Sequence, residues 1–361
     1  MCVVVPVRNE ALGLATTLAS IAEQQTLQGA PFDLNRVEVL LLANNCSDDS
    51  ASIARAFARA HPALAVHVED VQLPDAHAHI GHVRRLLMEA ACQRLASRSS
   101  RSSSSSGGGG GFVVSTDGDT VVDRHWLAHT LQAFSAGADV VAGRILFDPQ
   151  TALDPATLRH HRCDSAHRLA QSRLADVLDP DPADPWPRHH QHFGASLALR
   201  SAAYWQVCGI PEVRYLEDVA LVDACRRADL RIRHSPQVRV WTSPRHEGRV
   251  EVGLSWQLRQ WSRRDAAATA MWVEDPDAFV ARVQQRQRLR DAWRETQRTG
   301  TRSTAADAAP TFGVLWAQVK SESAADAPLP QVPVRQAIAR LKALIKLHAG
   351  GGPAFSKTSI R

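Results

Sequence analysis

Two short acidic stretches hold the residue types and spacing from which chemistry could be built. The first is Asp117-Gly118-Asp119, just after the apolar run Phe112 to Ser115; the second is Glu217-Asp218, downstream of Gly209 and Pro211. Two carboxylates at the end of an apolar strand offer hard oxygen ligands, which select Mg²⁺ or Mn²⁺ over softer metals. Strand ends of an open α/β sheet are also where ligands bind. Such a site would hold a cation against a diphosphate, and a separate carboxylate within hydrogen-bond reach of a hydroxyl would take its proton. Each stretch also has a purely structural reading. Asp117 to Asp119 could be a polar turn capping a helix that starts near Asp123. Glu217-Asp218 could simply open a helix from Val219 to Ala228, where acidic residues favour the macrodipole.

The elements that would position these carboxylates alternate along the chain. Val3-Val4-Val5-Pro6-Val7 reads as a strand entering the polar triplet Arg8-Asn9-Glu10, and helical spacing follows at Leu14, Leu18 and Ile21. Val37 to Leu42 reads as a second strand. It leads into Asn44-Asn45-Cys46-Ser47-Asp48-Asp49-Ser50, with Asp48 or Ser50 as N-cap of a helix carrying Ile53 and Phe57. Further strands are expected at Ala65 to Val68, Phe112 to Ser115 and Val140 to Ile145, and helices near Gly81 to Leu95 and Asp123 to Ala136. The alternation predicts an α/β fold whose mostly parallel central sheet is covered on both faces.

Four of these stretches together resemble a family 2 glycosyltransferase with the GT-A nucleotide-sugar-binding fold. Val-Pro-Val-Arg-Asn-Glu resembles the opening strand and donor loop, and Asn-Asn-Cys-Ser-Asp-Asp-Ser the second-strand loop. Thr-Asp-Gly-Asp-Thr resembles the metal-binding Asp-X-Asp. His192-Phe193-Gly194-Ala195-Ser196 with the later Glu217-Asp218 resembles the acceptor loop and catalytic pair. The resemblance covers about the first 250 residues. It implies an inverting, metal-dependent transfer from a nucleotide-sugar donor, with Mn²⁺ or Mg²⁺ as cofactor. Asp218 is then the base, with Glu217 its neighbour or substitute. Asp119 contacts the metal, and Asp117 reaches the metal or the ribose. Pro6, Arg8, Glu10, Asn44, Asn45, Asp48 and Arg84 fall on the donor side, with Arg84 facing the phosphates or lying on a helix surface. Gly194, Ala195, Ser196 and Trp186 fall on the acceptor side.

This sequence departs from the family pattern in places. The Asp that commonly reads the donor base is replaced, leaving Asn44 and Asn45 with Asp48 further on, and an amide both donates and accepts where a carboxylate only accepts. Ser243-Pro244-Arg245-His246-Glu247-Gly248-Arg249 resembles a post-catalytic segment. There His246 is a candidate third metal ligand, and Arg245 or Arg249 a candidate diphosphate clamp. Gln257-Leu258-Arg259-Gln260-Trp261 is a near miss to the Gln-X-X-Arg-Trp of processive synthases, and it leaves Trp256 and Trp261 as candidate acceptor contacts. Two other classes compete with this reading. A nucleotidyltransferase would need a Gly-rich, Lys/Arg-bearing loop after the first strand, which Arg8-Asn9-Glu10 is not. A degenerate nucleotide-sugar-binding module would retain the fold without turnover.

Composition suits a globular enzyme: 361 residues, 44% of them hydrophobic, and a net charge of +5. The basic residues are scattered among acids, with no aromatic-interleaved stripe of the kind that binds nucleic acid. Six cysteines without short paired spacing speak against a zinc site or a disulfide framework. With no apolar stretch of membrane-spanning length and a strand almost at Met1, a cytoplasmic protein is expected. Two domains are expected: a GT-A domain over 1–250 and a helical extension over 251–361. The Ser/Gly run 97–111 is read as a disordered insertion. The Pro-rich stretch Asp176 to His190 contains Trp186, His189 and His190 and has two readings, an acceptor contact or a stiff surface loop. A final helix from Val334 to His348 carries the stripe Val334, Ile338, Leu341 and Ile345. It would pack on its own domain or a second subunit, or dock on a membrane where a lipid-linked acceptor resides. The acceptor itself, whether a carbohydrate, a lipid-linked sugar or a small molecule, is not specified.

Overall fold

The structure is a computed structural model that describes residues 1–101, 110–148, 151, 153–243, 253–263, 271–299, 309–326 and 329–349. It divides into two compact units. The first comprises Met1–Asp154 and Gln191–Arg263, the second Pro155–His190 and Arg264–Arg361. This grouping differs from the expected single cut after residue 250. The stretch 155–190 belongs with the C-terminal part of the chain.

In chain order the first unit contains β1 (Cys2–Val7), α1 (Leu14–Ala22), β2 (Glu38–Asn44), α2 (Ser50–Ala60), β3 (Ala65–Val71) and α3 (Ile80–Arg101). There follow β4 (Phe112–Ser115), β5 (Thr120–Val122), α4 (Trp126–Ser135) and β6 (Val140–Phe147). The second unit supplies α5 (Pro155–Leu178). The first resumes with β7 (Leu197–Arg200), α6 (Ser201–Gln206), α7 (Glu217–Arg227), β8 (Ile232–Thr242) and α8 (Leu254–Arg263).

The eight strands form one sheet in the order β3-β2-β1-β4-β7-β6-β8-β5. Pairing is parallel from β3 through β4 and between β6 and β8; β7 and β5 join antiparallel to their neighbours. The central strands are near-continuous apolar runs because both faces are covered. Val3, Val5, Leu41 and Trp126 pack into the core on one face; Val4, Leu42, Met88 and Tyr204 pack on the other. The edge strand β3 alternates exposed and half-buried residues, with Glu69 and Asp70 among those it exposes.

The order places a topological switch between β1 and β4. From β1 the chain steps outward to β2 and β3, then returns to pair β4 on the other side of β1. Ligands of open α/β sheets bind at such a point, outside the carboxyl ends of the strands. The two strands also part there. β1 pairs with β4 only as far as Val4 opposite Ser115, and the Thr116 N–H donates to the Val4 carbonyl at 3.1 Å. Pro6 lies two residues beyond, where its missing N–H forfeits no ladder bond.

The helix α3 runs to Arg101, so residues 97–101 are helical, contrary to the reading of 97–111 as one disordered insertion. Residues 102–109 lie outside the described residues. The helix is held near that end by Arg94 and Arg98, which both bond the buried carboxylate of Glu38 on β2, at 2.8 and 3.0 Å.

The second unit adds β9 (Trp272–Glu274), α9 (Pro276–Thr299), α10 (Phe312–Asp326), β10 (Gln331–Pro333) and α11 (Val334–His348). β9 and β10 pair antiparallel. Ala170 and Leu174 of α5, Phe279 and Val283 of α9, and Leu341, Leu344 and Ile345 of α11 form its core. The apolar stripe of α11 is therefore spent inside its own unit. Among the described residues no helix is long and apolar enough to cross a membrane.

Candidate active site

The site is built at the carboxyl ends of β1, β2 and β4. The loops after β1 and β2 are stitched together by residues in unusual conformations. Asn9 and Asn45 both take positive φ, 56° and 49°, a region that short amide side chains tolerate best after glycine. The Asn9 side chain accepts the Ser47 N–H at 2.8 Å. Asn45 donates to the Leu73 carbonyl at 2.9 Å and accepts the Leu73 N–H at 3.0 Å, so its amide imitates a strand pairing and braces the loop.

Asp48 accepts N–H groups from Ala11 and Ser50 at 3.0 and 3.1 Å; the N-cap of α2 is Asp49, not Asp48 or Ser50. The Ser50 hydroxyl donates to Asp48 at 2.5 Å and accepts the Glu10 N–H at 2.7 Å. Arg8 donates to the Ala78 carbonyl at 2.9 Å. Asn44, at the end of β2, is buried. Of the donor-side residues expected from sequence, Asn45 and Asp48 thus hold the loops in shape, and Arg8 ties them to the chain ahead of α3.

Glycines bring the acidic loop in. A side chain at Gly118 would press on Glu10 and Val7 at 3.0 and 3.1 Å, and the Thr17 hydroxyl donates to the Gly118 carbonyl at 3.1 Å. Asp117-Gly118-Asp119 therefore lies directly against the loop after β1.

At the centre of the site is Arg84, one turn into α3. It is 3% exposed. Nη2 donates to Asp117 Oδ1 at 2.5 Å, Nη1 donates to Glu217 Oε1 at 2.5 Å, and Nη1 lies 3.9 Å from Asp218 Oδ2. Arg84 is neither a surface residue nor turned outward to bulk solvent. Two close approaches put it there. A side chain at Gly81 would overlap the Val213 carbonyl, so α3 starts hard against the segment that leads to α7. A side chain at Gly194 would overlap the Arg84 guanidinium.

The pair Glu217-Asp218 opens α7, whose N-cap Leu216 is held left-handed at φ 56°, ψ 37°. That conformation is costly for a residue with a Cβ, and it turns the first helical turn toward Arg84. Glu217 is buried. Asp218 keeps 14% of its side-chain exposure, and its two oxygens accept from the Gly194 N–H at 2.7 Å and the Val219 N–H at 2.8 Å.

Burial pushes Asp117 up to about 6, against the pull of Arg84 and with the repulsion of Asp119 and Asp218. Its side chain still keeps about a third of its exposure, 35%, so it is reachable from outside. Burial likewise raises Glu217, again opposed by Arg84. Burial works against the Arg84 charge as well, but the three carboxylates outweigh it and its pKa rises.

Three carboxylates therefore surround one guanidinium, with Asp119 acting on Asp117 beside them, an excess of negative charge that a divalent cation would neutralise. Among the described residues no set of three or more His, Cys, Asp and Glu side chains forms a metal cage. His246, Arg245 and Arg249 lie outside the described residues. Two carboxylates nevertheless suit Mg²⁺ or Mn²⁺, which complete their shells with water and substrate phosphate oxygens. Asp119 and Asp117 fit that donor set.

Of the residues expected on the acceptor side, Gly194 and Ala195 line the turn before β7. Ser196 is 1% exposed and its hydroxyl accepts from the Trp126 indole at 3.2 Å, which commits it to the core. Trp186 belongs to the second unit, with the Arg173 guanidinium 4.8 Å from its ring centroid. In α8 Trp261 is buried and Trp256 exposed, so of the two only Trp256 is available to a ligand. Sequence reading missed the shared role of Arg84, Gly194 and Leu216. The signal that could have found Gly194 is a glycine placed between an aromatic residue and a strand with no turn requiring it.

The model of glycosyl transferase family 2 matches residues 2–203, more than half of the chain. The match covers the loops after β1 and β2, Arg84 and the Asp-X-Asp, and ends before Glu217. No curated protein matches the sequence. Solved structures resemble it at low identity. A mannosyltransferase, PcManGT from Pyrobaculum calidifontis in complex with GDP-Man and Mn²⁺, is 18% identical, with 96% of this chain and 80% of that one covered and a TM-score of 0.46. S. aureus TarS 1–349 in complex with UDP is 12% identical over 99% and 94% of the two chains, with a TM-score of 0.45. Glucosyl-3-phosphoglycerate synthase from Mycobacterium tuberculosis, with Mn²⁺, UDP-glucose and phosphoglyceric acid, is 16% identical over 75% and 82%, with a TM-score of 0.41.

Proposed function

Because the chain belongs to glycosyl transferase family 2, we propose that it moves a sugar from a nucleoside-diphosphate donor to an acceptor hydroxyl by direct, inverting displacement. The protein is a glycosyltransferase with the GT-A fold; the metal, the stereochemical course and the acceptor are the proposed part. The observation that carries the proposal is the juxtaposition, around Arg84, of an acidic loop at the sheet's switch point with a part-exposed carboxylate on α7.

The donor nucleotide lies outside the ends of β1, β2 and β4, against the loops stitched by Asn9, Asn45 and Asp48. In this reading Asp218 serves the acceptor and Asp119 the metal. The acceptor oxygen attacks the anomeric carbon, the bond from that carbon to the diphosphate oxygen breaks, and the acceptor proton passes to Asp218. The Gly194 and Val219 N–H groups hold that carboxylate in orientation before the proton arrives. A divalent cation on Asp119 and Asp117 would stabilise the charge left on the departing diphosphate. Glu217, buried and bonded to Arg84, supports Asp218. A cytoplasmic setting goes with a soluble nucleotide-sugar donor.

Asp119→Ala tests the donor side. The variant is expected to lose the Mn²⁺ dependence of nucleoside-diphosphate binding, with affinity in Mn²⁺ falling to that measured in chelator. Calorimetric titration with UDP and GDP, each with Mn²⁺ or chelator, reads it. Unchanged affinity together with unchanged metal dependence would remove Asp119 from the metal site.

A further inference from the structure

Arg84 occupies the place from which a cation would grip the donor diphosphate, but its geometry is that of a bridge. We propose that Arg84 is a positioning residue that locks the acidic donor loop to the base-bearing helix α7 through one guanidinium. The inference rests on the glycosyltransferase reading above and assigns a task to one residue within it.

Both terminal nitrogens are committed, Nη2 to Asp117 and Nη1 to Glu217, two carboxylates that lie a hundred residues apart in sequence. A guanidinium presents donors in a rigid planar fork, so fixing one carboxylate fixes the direction of the other. The third carboxylate, Asp218, stands 3.9 Å from Nη1. It is oriented by the N–H of Gly194, the residue whose missing side chain makes room for that same guanidinium. Gly194 therefore serves the seat of Arg84 and the aim of Asp218 at once.

The arrangement also sacrifices a bond. Arg84 Nε is buried without a hydrogen-bond partner, and burying an unmet donor is costly. A side chain placed only to neutralise charge has no need of that sacrifice. One stretched to span two fixed carboxylates does. Committed and buried, the fork has no exposed edge to offer a diphosphate.

Arg84→Lys on the full chain separates a bridge from a counter-charge, because an ammonium keeps the charge but acts as a point and cannot reproduce the planar fork. The variant is expected to fold, to bind UDP or GDP with Mn²⁺ about tenfold more weakly, and to release nucleotide from UDP-glucose or GDP-mannose about a hundredfold more slowly, the scale of loss that small misplacements cause. The larger fall in turnover than in binding is the signature of positioning. A folded Arg84→Lys with unchanged binding and turnover would overturn the proposal.

Should the lysine variant not fold, Gly194→Ala displaces the flexible end of Arg84 without touching its charge, and the same two losses are expected. If the unmodified protein binds none of UDP, GDP and dTDP, the donor reading fails. The bridge is then decided by urea unfolding of Asp117→Asn, Glu217→Gln and the double variant. Non-additive effects uphold one guanidinium shared between the two carboxylates, and additive effects overturn it.

Discussion

Asp218→Asn is expected to bind donor nucleotide as the unmodified protein does and to lose transfer by about 10²–10⁴-fold, the usual contribution of a general base. The amide keeps the shape of the carboxylate, and its oxygen still accepts the Gly194 N–H that Asp218 accepts at 2.7 Å. What it loses is the capacity to take a proton, along with the acceptor for the Val219 N–H, which an amide NH₂ cannot supply. Glu217→Gln is the comparison. Glu217 is buried and bonded to Arg84, so it has no route to an acceptor without breaking that pair. It is expected to affect stability and the aim of Asp218 more than proton transfer. Equal turnover in Asp218→Asn and the unmodified protein would remove Asp218 from the role of base, and loss confined to Glu217→Gln would hand that role to Glu217.

Arg84→Met should destabilise the fold by about 3–5 kcal/mol, the cost of removing one partner from a buried ion pair. Methionine fills much of the volume, so the loss comes from charge: Glu217 is left buried beside Asp218 and Asp117 with its bonded counter-ion gone. Two outcomes in urea unfolding give the mechanism away. The single variant unfolds at markedly lower urea, and adding Glu217→Gln recovers part of the loss because the stranded charge is removed with its partner. A single variant as stable as the unmodified protein would mean that the carboxylates around Arg84 do not depend on it.

Local patterns made much of the fold legible in the sequence. The runs at Val3 to Val7 and Val37 to Leu42 are strands because both faces of each are buried, and a buried strand is written as a continuous apolar run. Asp117-Gly118-Asp119 was legible for the same reason: a strand that stops in polar residues marks a sheet end. The helix α3 was read too short. Its polar serine-rich end is secured by Arg94 and Arg98 on Glu38, which stands 56 and 60 residues earlier, and composition holds no trace of that tether.

Long-range pairings were the harder part. Arg84 could be placed near the site but not under Glu217, because the two lie 133 residues apart and no periodicity links them. Asn45 is one of two amides standing where relatives carry a base-reading Asp, and its pairing with both the N–H and the carbonyl of Leu73 left no mark in the sequence. Ser196 followed the acceptor turn in sequence, yet its hydroxyl faces Trp126 in the core. The stretch 155–190 carried no signal of its partnership with the C-terminal helices, since helix-to-helix packing is chosen by surfaces far apart in the chain.

The most direct test of the central claim is thermal unfolding of the full chain with UDP-, GDP- and dTDP-sugars, each with and without Mn²⁺. The account predicts that one nucleotide class raises the unfolding temperature and does so only with the metal, corresponding to about 2.7 kcal/mol at a donor concentration a hundredfold above its Kd. No shift with any donor in the presence of Mn²⁺ would contradict a metal-dependent donor site at Asp117 and Asp119.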